Sequence, residues 1–298
     1  MAAAKVLAVF VTLMVIFCEV SFSTKDGSCY KELKEPLPNH IVTKPPHQKL
    51  NPSVIPDSFD WRDVNNTYFV SPVTNQFLPS PCGCCWAHAA VGALTDRMMI
   101  ATQAKRSIVP LSPQVLLDCA DPDLGSCHGG SALGAYKFIF KNGITDITCS
   151  PFMGVDSFYW AEVPCNETMC RTCDRFGKCS FIKGPTYFIS EYGTVTGEDQ
   201  MKAEVFARGP IACSVYAHSA AFEEYTGGVI HDPVQYNSTT HVVAVTGWGT
   251  DEKTGMKYWI GRNSFGTAWG EDGWFKLQRG VNALDIEKHT CAWAVPKM

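Results

Sequence analysis

The stretch PCGCCWAHA, residues 81–89, places three cysteines within four positions and follows them with a tryptophan and a histidine. A cysteine thiolate is the reactive form of this side chain, and its pKa falls at a helix N-terminus beside an imidazole. Residues 85–104 are rich in alanine and methionine with apolar residues at helical spacing, which predicts a largely buried helix beginning at Cys85. Cys85 is therefore the candidate nucleophile, with Cys82 and Cys84 in the loop before it. A redox C-x-x-C pair is the alternative, although no βαβ pattern surrounds the motif.

A nucleophilic cysteine needs a base and a group that orients the base. His241 opens the apolar stretch HVVAVTGWG, and Asn263 follows in RNSFGTAWG after an expected turn and return strand, so the two side chains can meet. His88 lies three residues after Cys85 on the same helix, a spacing more typical of packing than of catalysis. Structural or surface roles are also expected for the other histidines after residue 55, which are His128, His218, His231 and His289.

Helical patterns precede strand patterns along the chain. Ser112 with Pro113 predicts the start of a helix over LSPQVLLDCA, and Gly143 predicts the end of another over SALGAYKFIFKNG. Beyond about residue 185, short stretches bounded by turn residues predict strands in GPIACSVYA, HVVAVTGWG, KYWIGRNSF and GWFKLQRG. We therefore predict an α+β fold in which a helical lobe faces a sheet lobe.

The N-terminal segment differs from the rest in composition. Lys5, an apolar run and the small residues Ser21 and Ser23 are typical of a signal peptide over residues 1–23. A membrane anchor is the alternative, but the apolar run is short for a membrane span. Residues 24–55 are polar and proline-rich and cannot bury a core alone, so we predict a short propeptide there and a folded domain over residues 56–298.

Charge and cysteine content narrow the setting. A net charge of -4 without a Lys/Arg run argues against nucleic acid as a partner. Fourteen cysteines fit an oxidising compartment, and loss of Cys18 with the signal peptide leaves an odd number, so at least one thiol is unpaired or temporarily paired. We expect a lysosomal or secreted protein without stable membrane insertion. The predicted glycosylation sites are Asn65, Asn166 and Asn237.

The segments NQ, CGCCWAHA, CHGG, GPIACSV, YTGGVI, HVVAVTGWG and RNSFGTAWGEDGW occur in this order. A cysteine motif of this kind with a distant His and Asn is typical of the papain family of cysteine peptidases, and the chain resembles that family over almost all of residues 56–298. The resemblance implies a papain-like two-lobed fold, with a helical left lobe, a β-barrel-like right lobe and the active cleft between them. It also implies a zymogen, active as a monomer on peptide or protein substrates without a cofactor.

The same resemblance implies a role for each site residue. Cys85 would attack the scissile carbonyl, His241 would be its ion-pair partner and then the general acid, and Asn263 would orient the imidazole. The Gln76 side chain and the Cys85 backbone N–H would stabilise the oxyanion. Trp269, at the edge of the substrate site, would shield the His–Asn hydrogen bond from water.

A short insertion between Gln76 and Cys85 carries Phe77, Leu78 and Pro79, and it resembles a loop found in a carboxypeptidase branch of the family. In that branch the loop begins with a histidine that holds the substrate's terminal carboxylate, whereas phenylalanine offers neither a donor nor a charge. The expected activity is removal of single residues from peptide C-termini. The alternatives are an endopeptidase or broad peptidase without the carboxylate clamp and, disfavoured by the complete catalytic set, an inactive disulfide-rich binding protein.

The resemblance further implies that Cys29 of the propeptide bonds Cys85 and silences it until the propeptide leaves. Cys84 stands where the family has Ser or Ala, and Phe265 stands where it usually has Trp. A zinc site in CNETMCRTCDRFGKC is the alternative to disulfides there; we expect disulfides and no metal. The implied pairs are Cys82–Cys127, Cys119–Cys165, Cys149–Cys170, Cys173–Cys179 and Cys213–Cys291.

Overall fold

The computed structural model describes residues 28–33, 36–106, 108–156, 170–175 and 179–298, without the side chains at positions 171, 173, 179 and 181. The α-helices in this part of the chain are α1 (Cys85–Ala101), α2 (Pro113–Cys119), α3 (Ala132–Asn142), α4 (Glu198–Arg208) and α5 (Ala220–Glu223). The strands are β1 (Phe59–Asp60), β2 (Gly125–Ser126), β3 (Gly129–Gly130), β4 (Cys170–Cys173), β5 (Cys179–Ile182), β6 (Phe188–Val195), β7 (Ile211–Val215), β8 (Val229–Ile230), β9 (His241–Thr250), β10 (Lys257–Arg262), β11 (Trp274–Gln278) and β12 (Cys291–Lys297).

The helix ends follow the local sequence signals. The hydroxyl of Ser112 accepts the Val115 backbone N–H at 3.4 Å, which caps α2. Helix α3 ends at Gly143, whose φ of 75° is costly for residues with a side chain. Helix α1 ends at Ala101. It stops short of the predicted residue 104 because residues 103 and 104 both take left-handed backbone conformations, with φ of 52°.

The sheet is organised around β9. The strand order in the sheet is β6-β12-β7-β9-β10-β11-β8, with β1 paired to β9. Adjacent strands are antiparallel except for the pair β11 and β8, which is parallel. Residues 241–249 of β9 are buried without interruption. Such a strand reads as a continuous apolar run because both of its faces are covered.

Two hydrophobic cores correspond to the two lobes. The first packs α1 against α2 and α3 and includes Trp86, Leu116 and Tyr136. The second lies within the sheet lobe and includes Trp248 and Phe275. This confirms the predicted α+β class and the papain-like two-lobed arrangement. The predicted segregation of helices from strands is incomplete, because α4 lies between β6 and β7 in the strand-rich half.

Buried ion pairs connect α1 to the sheet lobe. Arg97 lies 2.9 Å from Glu204 of α4 and also donates to the carbonyls of Pro210 and Ala294, at 2.7 Å and 2.9 Å. Asp96, on the same helix, pairs with Arg262 at 2.8 Å. Buried charges are costly unless they are paired and hydrogen-bonded, and these four charges are. The helix that carries Cys85 is thereby fixed to the lobe that carries His241.

Some predictions lie outside the described residues. These are the signal peptide, the sequon at Asn166, the Cys165 thiol and the side chains of Cys173 and Cys179. Cys119 is disulfide-bonded, and Cys149 bonds Cys170, which takes Cys170 out of the set of thiolates that zinc would need. Cys213 bonds Cys291. Among the described helices, none has the length and apolar content of a membrane span.

Candidate active site

The loop before α1 presents Cys85 at the head of the helix. Gly83 donates to the Cys127 carbonyl at 2.7 Å, and a Cβ at position 83 would lie only 2.6 Å from that oxygen. Glycine is therefore required here, and the Cys82–Cys127 disulfide closes the same loop. Cys85 is the first residue of α1, where backbone N–H groups have no acceptor within the helix. This position gives the sulfur a positive helix end and backbone donors.

The pairing of β9 with β10 brings His241 and Asn263 together. Arg262 at the end of β10 is opposite Ala244, so Asn263 lies beside the start of β9. His241 Nε2 is 2.8 Å from Asn263 Oδ1. The same oxygen accepts the Ser264 backbone N–H at 2.8 Å, which identifies it as the acceptor and places the imidazole proton on Nε2. His241 Nδ1 is therefore free to act as a base.

His241 Nδ1 faces a sulfur atom. It lies 3.0 Å from Sγ of Cys29, and Cys29 is joined to Cys85 by a disulfide. The pKa of His241 is lowered to about 4, chiefly by burial; the hydrogen bond to Asn263 opposes this shift and the charge of His218 adds to it. At neutral pH this form has neither a thiolate nor an imidazolium. The nucleophile and the base are adjacent but chemically silent.

Donor atoms of Cys29, Cys85 and His241 lie within 4.8 Å of one another, a spacing that could hold a metal ion. Thiolates bind metals, however, and both sulfurs are committed to the disulfide. The chemistry of this donor set in the described form is therefore that of a blocked nucleophile.

The segment around Cys29 runs through the cleft between the lobes. The backbone N–H groups of Cys29 and Tyr30 both donate to the Thr240 carbonyl, at 2.9 Å and 3.0 Å. On the other side, Lys31 donates to the Gly130 carbonyl at 3.0 Å. Backbone pairing of this kind is how an extended peptide is held in a groove. The N-terminal segment thus occupies the groove that leads to Cys85.

Gln76 is buried and held in one orientation. Its Nε2 donates to the Cys82 carbonyl at 3.1 Å, and its Oε1 accepts the Ser264 hydroxyl at 2.7 Å. The amide nitrogen has two hydrogens, so one donor remains beyond the bond to Cys82. Gln76 is therefore a preorganised donor in the loop that precedes the nucleophile.

A cavity of about 280 Å³, the cleft cavity, lies beside this site. Phe77 of the inserted loop packs against Phe265 at 5.1 Å between ring centroids, and Phe265 lies 4.8 Å from the His241 ring. Trp269 packs on Phe265 at 5.8 Å between ring centroids. Phe265, which contacts the His241 ring directly, is the aromatic ring closer to the imidazole. Leu78 is 64% exposed and Pro79 is also exposed, which leaves Phe77 as the loop residue that lines the cavity. The cavity is lined by Cys29, Gln76, Phe77, Ala217, His218, Glu223, Thr240, His241, Phe265 and Trp269.

His88 and Cys84 are buried near the nucleophile and lie outside the lining of the cleft cavity. Neither ring nitrogen of His88 has a hydrogen-bond partner among the described residues, and burial lowers its pKa to about 3. Its ring packs edge-on against Phe152 at 4.6 Å. Cys84 is a free thiol whose pKa is raised by burial. The first group stays neutral and the second stays protonated, as expected for packing roles.

His218 is the residue that the sequence analysis missed. It lines the cleft cavity together with His241, although an isolated histidine in AHSAAF carries no motif. Its position depends on the pairing of β7 with β9, which places Val215 at the end of β7 next to His241, and no sequence motif indicated that register.

The sequence model of papain family cysteine proteases matches residues 55–294. The chain belongs to the papain family. It is a papain-family cysteine peptidase, and it is 33% identical to cathepsin Z of Onchocerca volvulus over 96% of this chain and 94% of that protein. Cathepsin K of Mus musculus is 32% identical over 76% of this chain and 61% of its own length.

Solved structures give the same relationship. The papain-family chain matches digestive procathepsin L2 of Tenebrio molitor with a TM-score of 0.65 and 31% identity, covering 82% of this chain and 68% of that one. It matches the proform of the ragweed pollen protease Amb a 11 with a TM-score of 0.66 and 27% identity, covering 84% and 68%. Both solved relatives are precursor forms. The cleft of this peptidase is likewise blocked by its own N-terminal segment.

Proposed function

We propose that this peptidase is a carboxypeptidase that removes single residues from peptide C-termini and is made as a disulfide-blocked zymogen. The observation that carries the proposal is the position of the inserted loop, where Phe77 closes the wall of the cleft cavity beside His241. A cavity of about 280 Å³ is small for a ligand site, whose usual range begins at about 300 Å³. In the blocked form, where Cys29 of the N-terminal segment also lines this cavity, the space suits one residue beyond the scissile bond. The overall resemblance to cathepsin X, also called cathepsin Z, supports the same activity.

The proposed chemistry uses the residues of the candidate site. After reduction, the Cys85 thiolate attacks the scissile carbonyl carbon, forming a C–S bond and an oxyanion that accepts hydrogen bonds from Gln76 and the Cys85 N–H. The His241 imidazolium then gives its proton to the departing amine as the C–N bond breaks. Water adds to the thioester and passes a proton back to His241, and the C–S bond breaks to release the shortened peptide and the thiolate. Asn263 holds the imidazole in the required tautomer throughout.

Activation of the zymogen requires a thiol or dithiol reductant. The reductant supplies two electrons, Cys29 and Cys85 each regain a sulfhydryl, and the reductant is oxidised to its disulfide. The segment over residues 24–55 can then leave the cleft, and Cys85 can transfer its proton to His241. Metal chemistry is not needed at any step, and no cofactor is proposed.

The remaining expectations are part of the same proposal. A signal peptide over residues 1–23, a propeptide over 24–55 and a peptidase domain over 56–298 would direct the protein into the secretory pathway, to the lysosome or outside the cell. Asn65 and Asn237 carry positive φ angles and lie at or near turns, which are accessible positions for glycosylation. The peptidase is proposed to act as a monomer, and its own propeptide is its first partner.

The decisive experiment is a timed mass-spectrometric digest of one peptide in two forms, with a free C-terminus and as the C-terminal amide. Activated wild-type protein should shorten the free acid one residue at a time and act at least tenfold more slowly on the amide. Cys85→Ala, prepared identically, should cut neither peptide. Internal cuts in both peptides at similar rates would instead establish the endopeptidase alternative.

A further inference from the structure

We infer that His218 is the group that binds the C-terminal carboxylate of the substrate, replacing the loop histidine that Phe77 has displaced. This inference rests on the proposed carboxypeptidase function and deepens it. It concerns a residue of the cleft cavity that lies outside the inserted loop, and it assigns to that residue a chemistry that Phe77 cannot perform.

The position of His218 follows from the sheet register. Val215 at the end of β7 is opposite His241 at the start of β9, and His218 follows three residues later, before α5. A side chain here can reach the space beside the catalytic imidazole without belonging to the catalytic pair. The charge of His218 also contributes to lowering the pKa of His241, as expected for two groups that line the same cavity.

The orientation of the His218 ring is set by Glu223 on α5. Nδ1 lies 3.3 Å from Glu223 Oε1, and because a carboxylate only accepts, Nδ1 carries a proton. Nε2 is buried and has no hydrogen-bond partner among the described residues. A buried ring nitrogen without a partner is costly, and unlike His88 this residue lines the cleft cavity, where a ligand group can bond to it. A carboxylate bound at Nε2 would require a proton there as well, so the ring would donate to Glu223 on one side and to the incoming carboxylate on the other.

The composition of the cleft cavity leaves few other donors for an anion. The remaining N–H of Gln76 is assigned to the oxyanion in the proposed chemistry, and His241 is held by Asn263. Glu223 is the acidic residue of the lining, so a carboxylate would be repelled unless the positive charge of His218 lay between the two anions. The remaining wall is aromatic, and it would face the side chain of the terminal residue.

The test compares the free-acid peptide with its amide in three variants of the activated enzyme. His218→Phe should lower the ratio of kcat/KM for acid over amide by about ten- to a hundredfold, the size expected for a charge-assisted hydrogen bond. His218→Lys, which keeps a cation at this position, should recover part of the ratio. His231→Phe is the matched control, because His231 is also held through Nδ1, by Gln278, but does not line the cavity.

The outcomes separate the two proposals. If wild type prefers the free acid and His218→Phe keeps that preference, the carboxylate is bound elsewhere and the inference about His218 is overturned, while the carboxypeptidase function stands. If wild type shows no preference, the carboxypeptidase function itself fails. Correct folding of each variant is established by its thermal unfolding and by the rate at which a thiol-directed epoxide labels Cys85.

Discussion

His241 and Asn263 are joined by a hydrogen bond of 2.8 Å from Nε2 to Oδ1, and this bond decides which imidazole nitrogen faces the sulfur. Without the amide oxygen, the ring loses the partner that fixes its tautomer and orientation. Asn263→Ala should therefore lower kcat by about a hundredfold, the cost of a misplaced catalytic group, with a smaller change in KM. Steady-state kinetics on a fluorogenic peptide, normalised by active-site titration, provide the measurement. An unchanged kcat would contradict the positioning role.

Cys29→Ser should give a precursor whose Cys85 reacts without reduction. The wild-type precursor has the Cys29–Cys85 disulfide, so a thiol-directed epoxide should label Cys85 only after a mild reductant is added. The variant should be labelled at least tenfold faster in its absence and should lose about 2–4 kcal/mol of stability with the crosslink. Labelling of Cys85 in the untreated wild-type precursor would show that the nucleophile is not blocked.

Gln76→Ala should lower kcat by about 10²–10³-fold if the side chain donates to the oxyanion. Ser264→Ala removes the 2.7 Å bond to Gln76 Oε1 and leaves the amide present but less fixed, so its effect should be smaller and of the same kind. Comparison of kcat and KM separates the two roles, since an oxyanion donor acts on kcat. A change confined to KM would assign Gln76 to ground-state binding instead.

Glu191 should make retention of the propeptide dependent on pH. It accepts the backbone N–H groups of Val42 and Thr43, both at 2.9 Å, and the Thr43 hydroxyl at 2.6 Å. Burial raises its pKa, but the hydrogen bonds from Thr43 and Val42, with Arg208, outweigh burial and hold the pKa below its ordinary value. The contribution of these bonds is therefore complete above about pH 4.5 and is lost as the pH falls through the lower pKa of the bound form.

Glu191→Gln should release the propeptide about tenfold faster at neutral pH after reduction, and the rate should vary less with pH than in wild type. Size-exclusion chromatography after limited cleavage near residue 55 measures the release. Glu252→Gln, an exposed carboxylate in the turn after β9, is the control. Equal release rates for wild type and Glu191→Gln would show that this anchor does not hold the propeptide.

His88 should make the fold less stable in acid. Its pKa is about 3 in the folded chain and about 6.5 for an ordinary histidine, so between these values the unfolded chain binds a proton that the folded chain does not. Stability from this site is present above pH 6.5 and falls by up to about 1.4 kcal/mol per pH unit below it. His241 acts in the same direction in the blocked form, with a pKa of about 4.

His88→Phe keeps a ring against Phe152 and removes this proton linkage. At pH 4.5 the variant should therefore be more stable relative to wild type than at pH 7.5, by about 2–3 kcal/mol. Urea unfolding of the precursor at the two pH values gives the comparison. The same difference at both pH values would mean that His88 is solvated rather than neutral and buried.

Motifs and periodicity were sufficient to predict helices α1, α2 and α3 and strands β7, β9, β10 and β11. Ser112 and Gly143 mark helix ends as expected, because capping and positive φ depend on neighbours in sequence. Helix α4 in the strand-rich half was not predicted, although EDQMKAEVFAR has a helical pattern that begins with two acidic residues. Strand β12 is also absent from the predictions, and its pairing with β6 and β7 depends on partners about 80 to 110 residues away.

For the site, the sequence indicated Cys85, His241 and Asn263 through their surroundings in the chain. It could not indicate His218, because that assignment depends on where β7 ends relative to β9 and on the orientation that Glu223 gives to the ring. Phe77 was recognised as a departure from the branch it resembles. Its packing against Phe265, which makes this side of the cavity aromatic, could not be predicted because the two residues lie far apart in sequence.

The four hydrogen bonds of the Arg97 guanidinium, to Glu204 and to the carbonyls of Gly209, Pro210 and Ala294, have a mechanical consequence. They fix the middle of α1 to the sheet lobe. The separation between the Cys85 sulfur and the His241 imidazole is therefore set by contacts beneath the cleft and does not depend on a bound substrate. The zymogen therefore has its catalytic residues already in position, with one segment of its own chain in the cleft between the lobes. Activation then requires reduction of the Cys29–Cys85 disulfide and departure of one short segment, with no refolding of the walls of the cleft.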